Sequence, residues 1–275
     1  MQYVMHQDAG GEFNELGKRL WDIAEETAPL VEAVTQLRLP EPAVIHLMTL
    51  DTWKKAHEES SLRRLHAEAA ELDVTTTAKL KAKLKRSAHL GTRFAFWPMM
   101  LGEAVELTPG KPELVIVPDA LRHAGVVHDD RVLHKILAHE MTHLAQYAAD
   151  SGAIWADEET YFPEQRGVAD RAHMFLIEGH AYWADREITT KIFGEPVTTE
   201  EISPDATGQY RKLAERSMPK KAKASQARSL EAVTHLITTQ GLDAFNRIWR
   251  DRTLIPTRAE AAEPALWIER MAAVQ

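Results

Sequence analysis

Cysteine is absent from the 275 residues of this chain. Disulfides, thiolate catalysis and thiolate-bound zinc are therefore excluded, and any metal site must be built from imidazoles and carboxylates. Basic residues are the minority charge: Lys and Arg total 33 against 41 Asp and Glu, a formal net charge of −8. That balance argues against nucleic acid as the main partner. Long apolar runs are also missing. The longest, FAFWPMML at 94–101, is broken by Pro98 and falls short of the roughly 18 residues a membrane span needs. The opening MQYVMHQDAGGEFNELG lacks a basic start followed by an apolar stretch, so it does not read as a signal peptide. There is no phosphate-binding loop, Gly-rich nucleotide fingerprint or internal repeat. Together these absences predict a cytoplasmic protein with neither membrane nor nucleic acid as partner.

What is present is ordinary for a globular chain: 44% hydrophobic and 27% charged residues. The length allows a large core. We expect a single unit over 1–275, with sub-lobes at 1–110 and 111–275.

The informative stretch is 131–150, RVLHKILAHEMTHLAQYAAD, which contains His139-Glu140-Met141-Thr142-His143. In this H-E-x-x-H pattern the two histidines lie four apart, on one face of a helix, where both imidazoles can reach one metal ion. The Glu between them can then act as a general base. A five-residue pattern with only three positions specified arises by chance easily enough that its context must decide. On a helical wheel with His139 at zero, Val132, Leu133, Ile136, Leu137, Leu144 and Tyr147 fall between about 20° and 160°. His143 at about 40° and Glu140 at about 100° share that arc. The polar trio thus points where the core-facing residues point, and buried ionisable groups are costly unless paired or metal-bound.

Around this stretch the chain reads mostly as helix. Spacing predicts helices over 12–37, from Asp51 through Trp53 towards Leu72, and over 75–90, the last with a basic run, KLKAKLKRSAH. Residues 43–49 form an apolar, β-branched strand holding His46, read as a core histidine with a hydrogen-bonded ring. A further strand is predicted at 92–97. A hairpin follows at 104–107 and 113–117, turning at Pro109-Gly110, with Pro112 placing its second strand at a sheet edge. Asp129 and Asp130 are positioned to cap the metal helix. The acidic stretch 151–167 reads as a loop of lid or wall type, with Asp157, Glu158, Glu159 and Glu164 as possible ligands. Residues 168–193 form a long helix. Beyond a connector at 194–204, a short helix spans 210–217, the basic stretch 218–228 is a mobile linker, and helices occupy 229–240 and 242–250. Thr257 to Glu260 fits a capping box, and Pro264 opens the final helix.

A third ligand is sought on the 168–193 helix. Met174, Ile177, Ala181, Ala184 and Ile188 share one face, bordered by Glu178 and Asp185 about 20° apart. Glu178, beside Gly179, is the favoured third ligand, with Asp185 orienting a ligand histidine from behind. Two His from one helix and a Glu from a later one is the catalytic zinc set of thermolysin type. His180, His173 and Asp170 are the rivals. His180 lies about 160° from Glu178 and Tyr182 about 40° from it. Both His180 and Tyr182 are candidates to stabilise an oxyanion.

Three stretches carry a family resemblance: LAHEMTHLAQY at 137–147, FLIEGHA at 175–181, and the tail GLDAFNRIWRDRTLIPTRAEAAEPALWIERM at 241–271. Their order and spacing resemble a zincin-like family of zinc-dependent hydrolases, found mainly in actinobacteria and labelled as associated with deazaflavin-cofactor biosynthesis. The resemblance runs from about Pro112 to the end. It implies His139, His143 and Glu178 as zinc ligands and Glu140 as general base. Tyr182 stands where the family pattern leads one to look for an acidic residue.

The expected fold is therefore α+β, predominantly helical and zincin-like, with a small, mostly antiparallel sheet beside the metal helix. The expected activity is zinc-dependent hydrolysis, of peptides foremost, on a peptide or protein substrate. The rival expectations are an idle zincin-like binding module and a regulatory protease specific for one protein partner.

Overall fold

The computed structural model describes residues 3–199 and 201–273. In chain order the elements are β1 (Tyr3–Gln7), α1 (Asn14–Thr35), β2 (Ala43–Leu47), α2 (Leu50–Glu71), α3 (Thr76–Ala95), β3 (Glu103–Thr108) and β4 (Lys111–Ile116). They continue with α4 (Pro118–Ala124), α5 (Asp130–Asp150), α6 (Ala153–Glu159), α7 (His173–Phe193) and α8 (Gly208–Ala214). The last are α9 (Ser217–Gln240), α10 (Leu242–Asn246), α11 (Arg258–Ala262) and α12 (Pro264–Ala273). The fold is α+β and mostly helical. Among the described residues no helix is long and apolar enough to cross a membrane.

The sheet has the order β1-β2-β4-β3. The β1–β2 and β2–β4 pairs are parallel, and only β3–β4 is antiparallel. The expected mostly antiparallel sheet is thus a mixed one. The hairpin at Pro109-Gly110 is present, but parallel partners arrive from remote segments that no local turn announces. Pro112 also sits elsewhere than expected. Its strand, β4, lies inside the sheet, between β2 and β3. The β2 ladder starts at Glu113, one residue past the proline, so the missing N–H breaks no pairing there.

One sheet face supplies Ile45, Leu47, Leu114 and Ile116 to the main core, along with the apolar faces of α1, α5, α7 and α9. The opposite face packs Val105 and Val115 against Trp53 of α2. At the centre stands α5, with α1 and α7 on its flanks and α9 behind α7. Asp129 caps it, accepting the Val132 amide at 3.1 Å. Arg19 of α1 pairs with Asp130 in its first turn.

Other boundaries moved for physical reasons. The expected strand at 92–97 is the end of α3, which runs to Ala95 before a 3-10 turn. Six residues of mixed polarity fit either period. The basic stretch 218–228 is the first half of α9 rather than a linker. The acidic 151–167 segment contains the short helix α6, and α7 begins at His173, later than the expected 168.

Candidate metal centre

Every residue of α5 from Val132 to Tyr147 is buried. A helix enclosed on all sides must satisfy its polar side chains inside the protein, since each unpaired one costs free energy. His134 meets the Asp130 carbonyl at 2.7 Å and Glu26 at 3.0 Å. Thr142 donates to the Ala138 carbonyl at 2.7 Å. Tyr147 donates to Glu106 of β3 at 2.5 Å. Glu140 accepts the backbone N–H of Ala104, also in β3, at 2.8 Å.

The two motif histidines are backed differently. His139 Nδ1 is 3.0 Å from Asp185 Oδ2, and that same oxygen accepts from Lys135 Nζ at 2.9 Å. His143 Nδ1 is 2.9 Å from Gln146 Oε1. The Gln146 amide nitrogen donates to the Ile177 carbonyl and to His180 Nδ1, each at 3.0 Å. With both Nδ1 atoms engaged, each ring turns its Nε2 inward. The two Nε2 atoms are 3.2 Å apart, and they face Glu178 at 3.5 Å from His139 and 3.6 Å from His143. Donor atoms of His139, His143 and Glu178 all lie within 4.8 Å of one another, a group that could hold a metal ion.

Electrostatics describe the same centre. Burial alone would lower the pKa of His139, but hydrogen bonds to Asp185 and Glu178 outweigh it and raise the pKa to about 10. Burial would raise Glu178, but the His139 hydrogen bond and the charges of His143, His139 and Lys135 pull it down to about 2. The two shifts have one cause: the buried imidazoles and the partly exposed Glu178 carboxylate favour each other's charged forms.

Two glycines let the backbones close on this centre. A Cβ at Gly179 of α7 would lie 2.7 Å from the Ser229 carbonyl oxygen of α9. A Cβ at Gly102, just before β3, would lie 2.8 Å from Ile136 Cγ2 and 2.9 Å from Glu140 Cγ. Gly102 thus lets the start of β3 reach α5, where Ala104 holds the Glu140 carboxylate.

The remaining expected site residues divide. Tyr182 joins the centre: its ring centroid is 4.5 Å from that of His139, and Lys135 Nζ lies 5.2 Å from the ring. Burial and the charges of Glu178, Asp185 and Glu140 raise its phenol pKa, so the hydroxyl stays protonated. His180 does not face the triad. It is fully buried, with Trp183, Phe245 and Trp249 around its ring and Gln146 between it and His143. Burial lowers its pKa to about 3, which keeps it neutral. Of the two, only Tyr182 lies against a triad residue, its ring packed on His139. His173 is buried with Nδ1 at 3.6 Å from Glu158, and Asp170 is exposed beside Arg171. Asp157 pairs with Arg252, Glu159 pairs with Arg64, and Glu164 is exposed. None of these belongs to the triad.

Lys135, Gln146 and the Ala104 amide were not anticipated. The first two had a signal: each is a polar residue one turn from a motif histidine, on a helix whose other neighbours are apolar. The amide had none, because a backbone group leaves no mark in a sequence.

No family model matches the chain, and no curated protein matches it. Among solved structures it is similar to one from Chloroflexus aurantiacus, described as "a putative hydrolase with a novel fold". The TM-score is 0.57 at 21% identity, covering 93% of this chain and 89% of that one. At that identity the likeness is one of fold.

Proposed function

We propose that this chain is a zinc-dependent hydrolase that cleaves amide bonds, with peptides or proteins as substrates. The observation that carries the proposal is the spacing of the three donors. A tetrahedral zinc with metal–ligand distances of about 2.0–2.1 Å sets its ligand atoms about 3.3–3.4 Å apart. The two Nε2 atoms are 3.2 Å apart, and each meets a different oxygen of Glu178, His139 at 3.5 Å from Oε2 and His143 at 3.6 Å from Oε1. With one donor atom taken from each residue all three lie within 4.8 Å, so a small turn of the carboxylate brings one oxygen to ligand spacing. Three protein ligands, rather than four, is the count of catalytic rather than structural zinc. The donor chemistry fits as well, since nothing but nitrogen and carboxylate oxygen is on offer. The hydrolase description of the structurally similar protein agrees with this reading.

Bound zinc would lower the pKa of a water from about 15.7 towards ~7 and polarise a substrate carbonyl. The chain's own residues do the rest. Glu140 takes a proton from the attacking water through the oxygen not held by Ala104, as the water oxygen bonds to the carbonyl carbon. When the carbon–nitrogen bond breaks, Glu140 returns that proton to the leaving nitrogen. The Tyr182 hydroxyl, kept protonated, donates to the oxyanion. Asp185 and Gln146 hold the two imidazoles in the tautomers that present Nε2.

The test is Glu140→Gln. We expect zinc to remain at one equivalent and hydrolysis of a quenched peptide library to fall by about 10²–10⁴-fold, the usual contribution of a general base. Turnover at the wild-type rate in that variant would remove Glu140 from the mechanism. Wild-type protein that takes up no zinc would remove the metal. Wild-type protein that binds zinc but cleaves nothing in the library leaves the two other readings, which the library alone does not separate. Glu140-dependent cleavage of a co-expressed protein marks a protease specific for one partner, and its absence marks an idle binding module.

A further inference from the structure

Lys135 has no role in the chemistry above, yet it is a buried ammonium one helical turn before His139, 8% exposed. Its Nζ donates to Asp185 Oδ2 at 2.9 Å, and His139 Nδ1 reaches that same oxygen at 3.0 Å. Asp185 is fully buried, and its other oxygen, Oδ1, has no hydrogen-bond partner. The carboxylate therefore directs both of its contacts through one atom. Lys135 also lies over the Tyr182 ring, which in turn lies against His139. Four side chains, two from α5 and two from α7, close on one another: Lys135 and His139, Tyr182 and Asp185.

His143 has nothing comparable. Its Nδ1 rests on the neutral amide of Gln146, which is fixed by a carbonyl and a neutral imidazole. A neutral support needs no counter-charge, whereas a buried carboxylate does. Once a metal occupies the triad, the ring of His139 is a neutral ligand, and Lys135 is the cation touching Asp185.

We propose that Lys135 is a positioning residue for the metal centre. It balances the charge of Asp185 and fixes Oδ2 on the Nδ1 side of His139, so that His139 Nε2 is held on the metal. This inference rests on the zinc reading of the triad. The effect of Lys135 passes through Asp185, so it should disappear when Asp185 is neutral.

The experiment measures zinc affinity, by competition with a chromophoric chelator, for the wild type, Lys135→Met, Asp185→Asn and the double variant. We expect Lys135→Met to bind zinc about 10–100-fold more weakly, the range found when an outer partner of a ligand is lost. The double variant should bind as Asp185→Asn does, because the Lys has nothing left to act on. Lys135→Met with wild-type affinity overturns the proposal. So does a double variant markedly weaker than Asp185→Asn, since Lys135 would then act by another route. If Lys135→Met fails to fold because it strands a buried carboxylate, Lys135→Gln, which can still donate a hydrogen bond to Asp185 but carries no charge, takes its place: weaker zinc binding supports the proposal and wild-type affinity overturns it. A wild type without zinc affinity defeats the metal reading itself, an outcome distinct from both.

Discussion

His139 and His46 are both imidazoles set among carboxylates, and comparing them shows what makes such a cluster a ligand set. His46 of β2 lies between Glu113, at 2.8 Å from Nδ1, and Asp8, at 2.9 Å from Nε2. Both ring nitrogens are spent on carboxylates that sit on opposite sides of the ring. The ring of His6, 5.3 Å away, adds no convergence. At the α5 centre each imidazole spends only Nδ1, on Asp185 or Gln146, and keeps Nε2 for a shared point with Glu178. The difference comes from the secondary structure. Residues 139 and 143 are i and i+4 on a buried helix, so their rings are parallel claims on one space. His46 belongs to the less covered face of the sheet, where Asp8 is 65% exposed and the ring bridges strands instead of facing a pocket.

The largest effect should separate the two clusters outright. His143→Ala removes one of the three proposed ligands, and we expect stoichiometric zinc to be lost, while His46→Ala keeps it. The thermal midpoint reports the same contrast. A ligand at a hundred times its dissociation constant stabilises a fold by about 2.7 kcal/mol. Chelation should therefore lower the midpoint of the wild type and of His46→Ala but leave that of His143→Ala unmoved. Metal analysis showing full zinc in His143→Ala would break the comparison at its base.

A smaller effect tests whether the α5 centre is held by close packing in a way the His46 region is not. A methyl at Gly102 would meet Ile136 Cγ2 at 2.8 Å and Glu140 Cγ at 2.9 Å. Nothing lies within 4 Å of the corresponding methyl at Gly11, on the chain just after Asp8. Gly102→Ala should cost about 1–3 kcal/mol, the range for forcing atoms into a packed site. Gly11→Ala should stay within about 0.5 kcal/mol of the wild type. Urea midpoints measure both. Equal values for the two would mean that β3 can move away from α5 freely, and that the Ala104–Glu140 contact is loose.

The contrast also explains what could be read from the chain beforehand. The α5 triad was legible because helix periodicity converts sequence spacing into direction: Glu140 and His143 fell in the apolar arc with His139 at its border, and Glu178 bordered the apolar face of the later helix. Asp129 as cap and the Thr257–Glu260 capping box were legible for the same local reason, and both are present. The environment of His46 was only half legible. A hydrogen-bonded ring was expected, but its partners, Asp8 and Glu113, are 38 and 67 positions away. They arrive through parallel pairing, which no local pattern encodes. β1 escaped notice altogether, because YVMHQ is short and mixed in polarity. The early half of α9 has mostly exposed lysines and no buried stripe to betray its period.

The smallest effect concerns pH, and it asks whether His46 is the bridging cation the comparison takes it to be. Burial by itself would lower its pKa, but the hydrogen bonds it donates to Glu113 and Asp8, with their charges, outweigh burial and raise it above 6.5. A histidine whose folded pKa is raised contributes stability that is fully present below its unfolded value of about 6.5 and is lost as pH climbs through the folded value. The stability difference between the wild type and His46→Gln, both with zinc chelated, should thus be larger at acid-side neutrality than in mild alkali. Titrations elsewhere, including that of His139, are common to both proteins and cancel in the difference. Partly exposed ion pairs contribute about 0.2–1 kcal/mol, so the change will be of that order. A difference that is flat with pH, or that grows towards alkali, would show a neutral His46 merely hydrogen-bonded between two acids. In that case the two clusters would differ only in the direction their nitrogens face and not in charge.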